Sequence, residues 1–369
     1  MKDLAENKKI KKVLYFVNAR MPTERAHGLQ ISNICESLGL KSDLTLIIPR
    51  RKNIIKDTIY DYYSIEKTFK TRVVKIPDFG SFNSISFHIH ALLFLLMVRI
   101  IIFFESYDLF VTREIYAGIF IKNFVLEIHS SPKKNIFLKL SLQRAKKILV
   151  KTSYLKKELE EKYGIEKSKV VVFPNGVNVK KFNLQQDNNA VKGHYRIPLD
   201  KKIVMYSGSF FNPPWKGVDV LLDASELINQ DKFIVLVGGT REEVLDINSA
   251  YKNVLAIERQ SGEKIISLLQ TADFLILPNS GKDRESKYFT SPLKLFEYMA
   301  ARKNILASHL PSINDLVDTS EVTFFKPDNS QSLANAINNV VVDDIKIDAL
   351  YKKVKLYDWN TRSDVILSL

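Results

Sequence analysis

The sequence predicts an α/β protein made of two parallel sheets, each wound by helices. Three observations carry that expectation. Short β-branched runs alternate with helix-like patterns from one end of the chain to the other. The alternation breaks once, over Asn183–Asp200, a polar stretch rich in Gln, Asn and Asp with Pro198 near its end. The length, 369 residues, suits two or three domains at roughly 100–200 residues each.

Val13–Val17 is expected as the first strand, followed by a polar loop and a helix from about His27 to Leu38. Leu44–Ile48 and Arg72–Ile76 follow as strands. The run 91–104, ALLFLLMVRIIIFF, carries Arg99 inside its 14 residues. A membrane span needs about 20 apolar residues and a central arginine costs several kcal/mol. The run therefore reads as a buried or interfacial helix. Leu109–Thr112, Val125–Ile128, Lys147–Val150 and Lys169–Phe173 complete the strands of a first domain over 1–182. A linker is expected at 183–200. In a second domain over 201–345, strands at Ile203–Tyr206, Phe233–Val237, Asp273–Leu277 and Asn304–Ala307 alternate with helices at Val218–Leu227, Glu263–Thr271 and Pro292–Ala301. Residues 346–369 read as terminal helices able to return to the first domain.

Charge and absences narrow the function. The net charge is +14, and residues 1–180 hold 32 Lys and Arg against 17 Asp and Glu, so the whole excess lies in the first half. The basic residues are scattered, with no zinc-finger or RNP-type signature, so nucleic acid is not expected. An anionic membrane surface fits better, and a merely solvated basic face is the plain alternative. One cysteine, Cys35, excludes an internal disulfide and suits a reducing compartment. The opening MKDLAENKKIKK is charged and the apolar run after it is too short for a secretory signal, so a cytoplasmic protein is expected. No metal-ligand spacing, no GxGxxG after the first strand, no GxxxxGK[ST] and no GxSxG occur. Metal sites, dinucleotide oxidoreductases, P-loop NTPases and α/β-hydrolases are accordingly not expected.

Ligands of open α/β sheets bind outside the carboxyl ends of strands, so the strand-to-helix turns hold the candidates. Tyr206-Ser207-Gly208-Ser209 closes a strand, and Lys216-Gly217 precedes a helix. Small residues let a ligand approach the backbone, and a lysine adds charge where a helix N-terminus favours anions. The turn suits a diphosphate, or is an ordinary glycine turn with a solvated lysine. Val237-Gly238-Gly239-Thr240 repeats the pattern. A third turn leads into Ser291-Pro292-Leu293-Lys294-Leu295-Phe296-Glu297-Tyr298-Met299-Ala300, with Pro292 suited to the first helical position and Ser291 to the N-cap. Glu297 lies too deep in that helix for capping and is able to accept from a ribose diol; otherwise it forms an exposed pair with Lys294 worth a few tenths of a kcal/mol. In the first half, His129 ends the strand Val125–Ile128. Loop 18–30 presents Arg20, Glu24, His27 and Gly28, with Arg113 on the same edge and Arg25 as a surface charge. These face an acceptor, or are solvated loop charges.

Together these residues resemble family 4 of the retaining GT-B glycosyltransferases. The likeness rests on Phe173-Pro174-Asn175-Gly176-Val177-Asn178 with Phe182, on Tyr206-Ser207-Gly208 followed by Lys216-Gly217-Val218-Asp219, on Glu127-Ile128-His129 and on Ser291–Ala300. It implies two Rossmann-like domains whose sheets face a central cleft, and transfer of a sugar from a UDP- or GDP-sugar to a hydroxyl of a glycan or lipid-linked acceptor. Lys216 and the N–H groups after Ser291 would hold the donor diphosphate, Glu297 the ribose, and His129 would sit beside the donor sugar. No metal or other cofactor is implied. Two departures stand out. Gly208-Ser209-Phe210 replaces a Gly-Arg-Leu turn, so a second cationic diphosphate contact would be missing or would come from elsewhere, Arg284 or Lys287. Phe289 occupies the place of a first glutamate eight residues before Glu297. The alternative this leaves is a catalytically silent GT-B subunit that binds a nucleotide sugar or a partner enzyme.

Overall fold

The computed structural model describes residues 10–77, 84–133 and 135–369, so the charged opening residues 1–9 lie outside it. The chain divides into two compact units. One comprises Met1–Val150, Lys156–Phe173 and Trp359–Leu369; the other comprises Lys151–Leu155 and Pro174–Asp358.

The first unit holds seven parallel strands: β1 (Lys12–Phe16), β2 (Asp43–Pro49), β3 (Lys70–Val74), β4 (Leu109–Thr112), β5 (Val125–Ile128), β6 (Lys147–Val150) and β7 (Val170–Val172), in the order β3-β2-β1-β4-β5-β6-β7. Strand order reverses beside β1, so the loops leaving β1 and β4 part there and open the crevice in which such sheets bind ligands. Central strands covered on both faces need continuous apolar runs, and Val13, Leu14, Tyr15 and Phe16 are all fully buried. Helices α1 (Ala26–Gly39), α2 (Ile59–Tyr63), α3 (Ser84–Phe104), α4 (Ile136–Arg144) and α5 (Ser153–Tyr163) connect them. The apolar run at 91–104 belongs to a longer helix, α3, that begins at Ser84. His90, Ala91, Phe94, Leu95, Val98 and Ile101 form its buried stripe, at helical spacing.

The second unit holds six parallel strands: β8 (Lys202–Ser207), β9 (Lys232–Gly239), β10 (Val254–Glu258), β11 (Phe274–Leu277), β12 (Asn304–Ser308) and β13 (Thr323–Phe325), in the order β10-β9-β8-β11-β12-β13. Its helices are α6 (Asn188–His194), α7 (Val218–Ser225), α8 (Arg241–Ala250), α9 (Glu263–Thr271), α10 (Leu293–Ala300), α11 (Pro311–Asn314), α12 (Ser330–Asn339) and α13 (Asp344–Val354). The two-residue period of β8 sends Ile203 and Met205 into a core with Leu295 and Phe296, and Val204 and Tyr206 into the opposite core with Leu221 and Leu333.

The expected linker is replaced by packed structure. Asp187 caps α6 by accepting from the Asn189 N–H, while Leu184, Val191 and Tyr195 pack on the core of the second unit. The Gln186 amide donates to the Ser267 carbonyl at 2.9 Å. Upstream, Val177, Val179 and Phe182 are buried in the same core, so this unit takes up the chain at Pro174 and not at 201. Polar composition misleads here because three well-spaced apolar side chains suffice to seat a short helix.

Residues Trp359–Ser368 form α14, which packs on α1 of the first unit. Ser363 Oγ lies 2.9 Å from Ser37 Oγ, and Lys41 pairs with Asp364 at 2.6 Å. Arg362 is nearly fully buried; its guanidinium donates to the Phe173 carbonyl at 3.0 Å and to Glu127 Oε1 at 3.0 Å. Breaking one partner of a buried ion pair costs roughly 3–5 kcal/mol, because the remaining charge stays out of water. Arg113 still faces Glu127 after such a loss, so Arg362→Ala is expected near the lower end, about 3 kcal/mol, measured as the shift in chemical denaturation of the full chain.

Candidate functional site

In the second unit the site is built around the exit of β8. Ser207 closes that strand; its N–H donates to the Tyr298 hydroxyl at 2.9 Å, tying the strand end to α10. Gly208 has φ 130°, and a Cβ there would lie 2.9 Å from Lys294 Nζ, so only glycine leaves the ammonium its place. Ser209 is exposed, and its carbonyl accepts from the Tyr206 hydroxyl at 2.8 Å. Gly238 and Gly239 end β9, the first beside the Gly208 backbone and the second against the Phe210 ring.

Lys294 is 8% exposed, and its ammonium stands 3.7 Å from the centroid of the Tyr206 ring, a cation–π contact. Its Nζ has no hydrogen-bond partner among the described residues. Burial, and then the charge on Lys216, hold it well below the usual lysine range, with Glu297 pulling the other way. Lys216 closes the turn Pro214–Lys216, is half-buried, and stacks 4.2 Å from the Trp215 ring centroid; burial lowers it to about 8. Gly217 follows with φ 71°, and a Cβ there would meet the Pro278 carbonyl oxygen at 1.9 Å, so the chain leaving β11 runs hard against the lysine's turn. Glu297 is half-buried, and burial raises its carboxyl against the pull of Lys294. Two cations, one acid and the small-residue end of β8 thus form one group. Burial without a hydrogen-bond acceptor works against the charged form of Lys294, and a bound anion would favour it.

The lead-in to α10 differs from the sequence expectation. The helix begins at Leu293, with Pro292 as an extended N-cap residue that makes no side-chain cap. The Ser291 hydroxyl accepts from the Asn175 N–H at 3.0 Å instead, and the Asn175 side-chain amide donates to the Ser291 carbonyl. The Phe173–Asn178 motif therefore braces this loop. An exposed Lys294–Glu297 pair is not what forms, because Lys294 is buried. Arg284 and Lys287 stack on Phe289 and Tyr288, at 4.8 and 5.3 Å. The charge of Lys216 is felt instead by Lys294. Phe289 is itself buried, at 3% exposure.

In the first unit Glu127 is the hub. Its side chain is fully buried and accepts from His129 Nε2 at 2.8 Å, Arg113 Nε at 3.1 Å, Arg362 at 3.0 Å and the Tyr15 hydroxyl at 3.1 Å. Burial raises the carboxyl, but Arg362, Arg113 and His129 together hold it well below the usual carboxylate range. A carboxylate accepting from Nε2 fixes the tautomer and orientation of the His129 ring. Arg113 is thus locked in an ion network and does not project as a free loop cation. Its charge still reaches His27, which burial, then Arg113 and Arg25, lower to about 4. Arg20 pairs with Glu24 at 2.5 Å, and Arg25 is exposed, as expected of a surface charge. Gly28 is buried in α1, where a Cβ would strike the Tyr63 hydroxyl. That gives it a packing role. Sequence reasoning overlooked Glu127 as the organiser, although a carboxylate inside the apolar run FVLEI was a usable signal. It also overlooked Glu114, which accepts from the Asn18 N–H at 2.7 Å and which burial raises to about 7.

Comparison with known proteins agrees with this architecture. A family model described as glycosyl transferases group 1 matches residues 201–343, and one described as glycosyltransferase family 4 matches residues 45–181. Among solved structures, Anabaena Alr3699/HepE in complex with UDP superposes with a TM-score of 0.75 at 15% identity, covering 97% of this chain and 100% of its own. A glycosyltransferase from Rickettsia africae gives 0.72 at 18% identity, over 97% and 98% of the two chains. The lipopolysaccharide outer core galactosyltransferase WaaB, in its apo form, gives 0.68 at 14%, over 97% and 100%. With a seven-stranded and a six-stranded parallel sheet, and family matches in both halves, the chain belongs to the group 1 and family 4 glycosyltransferases of the GT-B fold.

Proposed function

We propose that this chain is a retaining, metal-independent glycosyltransferase that moves a sugar from a UDP- or GDP-sugar to a hydroxyl of a glycan or lipid-linked acceptor, in cell-surface polysaccharide synthesis at the cytoplasmic side of a membrane. The observation that carries the reading is the convergence of Lys216 and the buried, unpartnered Lys294 on the glycine end of β8. A diphosphate bound there meets two ammonium groups, one of them able to move off the Tyr206 ring without losing a hydrogen bond. Glu297, half-buried on the same helix, takes the ribose hydroxyls. That a structurally similar protein was crystallised with UDP fits this assignment.

Transfer breaks the bond between the anomeric carbon and the diphosphate oxygen and forms one to the acceptor oxygen on the same face. The acceptor's proton passes to the leaving diphosphate. Negative charge grows on that group in the transition state, so positive groups already in place contribute most. His129, oriented by Glu127, lies beside the donor sugar in this reading, with Arg20, His27 and Arg113 on the acceptor side. The second reading, a catalytically silent subunit, draws on the buried phenyl ring of Phe289 where the family places a carboxylate.

Lys216→Ala is expected to lower the transfer rate by about 10²–10³-fold. Glu297→Ala is expected to weaken UDP or GDP binding by about 1.5–3 kcal/mol. Donor turnover by the purified chain and thermal shift with each nucleotide check these. Absence of any turnover with intact nucleotide binding selects the silent-subunit reading. A pH dependence follows as well. Lys216 sits at about 8 in the free protein, and a bound diphosphate raises it, so binding takes up a proton once the pH passes that value. Through Lys216, affinity is expected to be flat below that value and to fall above it by up to about tenfold per pH unit, and Lys294, pushed further down by burial and by Lys216, adds a fall in the same direction that begins at lower pH. Calorimetry in buffers of different ionisation heat reads the proton count.

A further inference from the structure

The outward side of α3 is unlike the surface around it. Ile89, Leu96, Ile100, Phe103 and Phe104 are exposed, the last two by 72% and 77%, and they recur at helical spacing opposite the buried stripe. Leu93, half-buried, fills the turn between them. From Ser86 to Phe104 the helix has a mean hydropathy of 2.3 and is long and apolar enough to span a bilayer by those measures alone. Its other stripe is buried within the first unit, so it stays in place as a ridge. Arg99 is exposed at the margin of the ridge, where a long side chain can lay its stem on apolar surface and keep its charge in water.

A second apolar group joins it. Ile136 and Phe137, exposed by 76% and 43%, open α4. Phe137 packs on Tyr116 with ring centroids 5.6 Å apart, and Tyr116 on His88 of α3 at 5.6 Å, with the Tyr116 hydroxyl 2.8 Å from His88 Nδ1. The start of α4 therefore lies beside the N-terminal turns of α3. Lys133 and Lys139, both exposed, flank that pair.

We infer that this face docks on a bilayer rich in anionic phospholipid, the α3 ridge and the first turn of α4 entering the headgroup layer while Arg99, Lys133 and Lys139 meet lipid phosphates. Charge decides between occupants. Residues 1–180 carry 32 Lys and Arg against 17 Asp and Glu. Two copies of so basic a unit repel one another, whereas an anionic leaflet attracts each. An in-plane apolar ridge with a basic margin is the pattern by which proteins lie on membranes without crossing them. The inference deepens the membrane-side reading above by naming the surface and the lipid, and the binding it describes does not require that reading's chemistry.

Sedimentation of the full chain with vesicles tests it, using phosphatidylglycerol and phosphatidylcholine in equal parts against phosphatidylcholine alone. The chain is expected to pellet with the anionic vesicles, weakly with the neutral ones, and less at high salt. Phe103→Ser with Phe104→Ser, and separately Arg99→Glu with Lys139→Glu, are each expected to weaken binding at least about tenfold, with the UDP-induced thermal shift unchanged as evidence of an intact fold. Failure to bind anionic vesicles, or binding indifferent to Phe103→Ser with Phe104→Ser, overturns the inference. So does self-association in solution that this pair abolishes, which would make a second copy the occupant. Nucleotide binding without vesicle binding rejects this surface alone, and vesicle binding without nucleotide binding rejects the donor site alone.

Discussion

A buried lysine, Lys294, set under the charge of a half-buried one, Lys216, governs the site of the second unit. Lys294 lies on Tyr206 under the influence of Lys216, and its ammonium has no hydrogen-bond partner among the described residues. Burial disfavours the ionisation of both, and the charge of Lys216 disfavours that of Lys294 further. The surrounding structure has to hold them there. Tyr298 anchors α10 to β8, Gly208 leaves room for the ammonium, and Gly217 lets the turn carrying Lys216 press on the Pro278 carbonyl. These contacts keep the buried lysine in place without an acceptor, and an anion bound there would offset the cost.

The first unit solves the opposite problem. Its buried charge is a carboxylate, Glu127, and it is over-supplied with partners: two arginines, a histidine and a tyrosine. Lys294 in the second unit lacks a hydrogen-bond partner among the described residues, while Glu127 in the first already has four. A ring fixed through Nε2 cannot turn freely, so whatever His129 does, it does from one orientation.

Much of this was legible in the residue order. The β-branched runs placed eleven of the thirteen strands described, because strands covered on both faces must be apolar throughout, but β10 and β13 were not among them. Gly208, Lys216, Lys294 and Glu297 were drawn together by the family resemblance, since each turn alone fitted an ordinary glycine turn or a solvated pair equally well. What stayed hidden has physical causes. Asn188–His194 looked like a linker because its few apolar residues are scattered through polar ones, and only the core they touch reveals them. The role of Asn175 in bracing Ser291 joins residues 116 positions apart, and no local pattern encodes such a contact. The burial of Lys294 could not be read from the Lys294–Glu297 spacing, which suits a solvated pair equally well.

The position of Arg362 has a bearing on how the protein is made. The first unit needs residues 359–369 to finish its polar interior, yet these follow the whole of the second unit along the chain. While a ribosome is still translating the second sheet, Glu127 has Arg113 and His129 for company but not Arg362. Domains commonly mature in the order in which they emerge. Here the earlier one receives its last helix only after the later has been made.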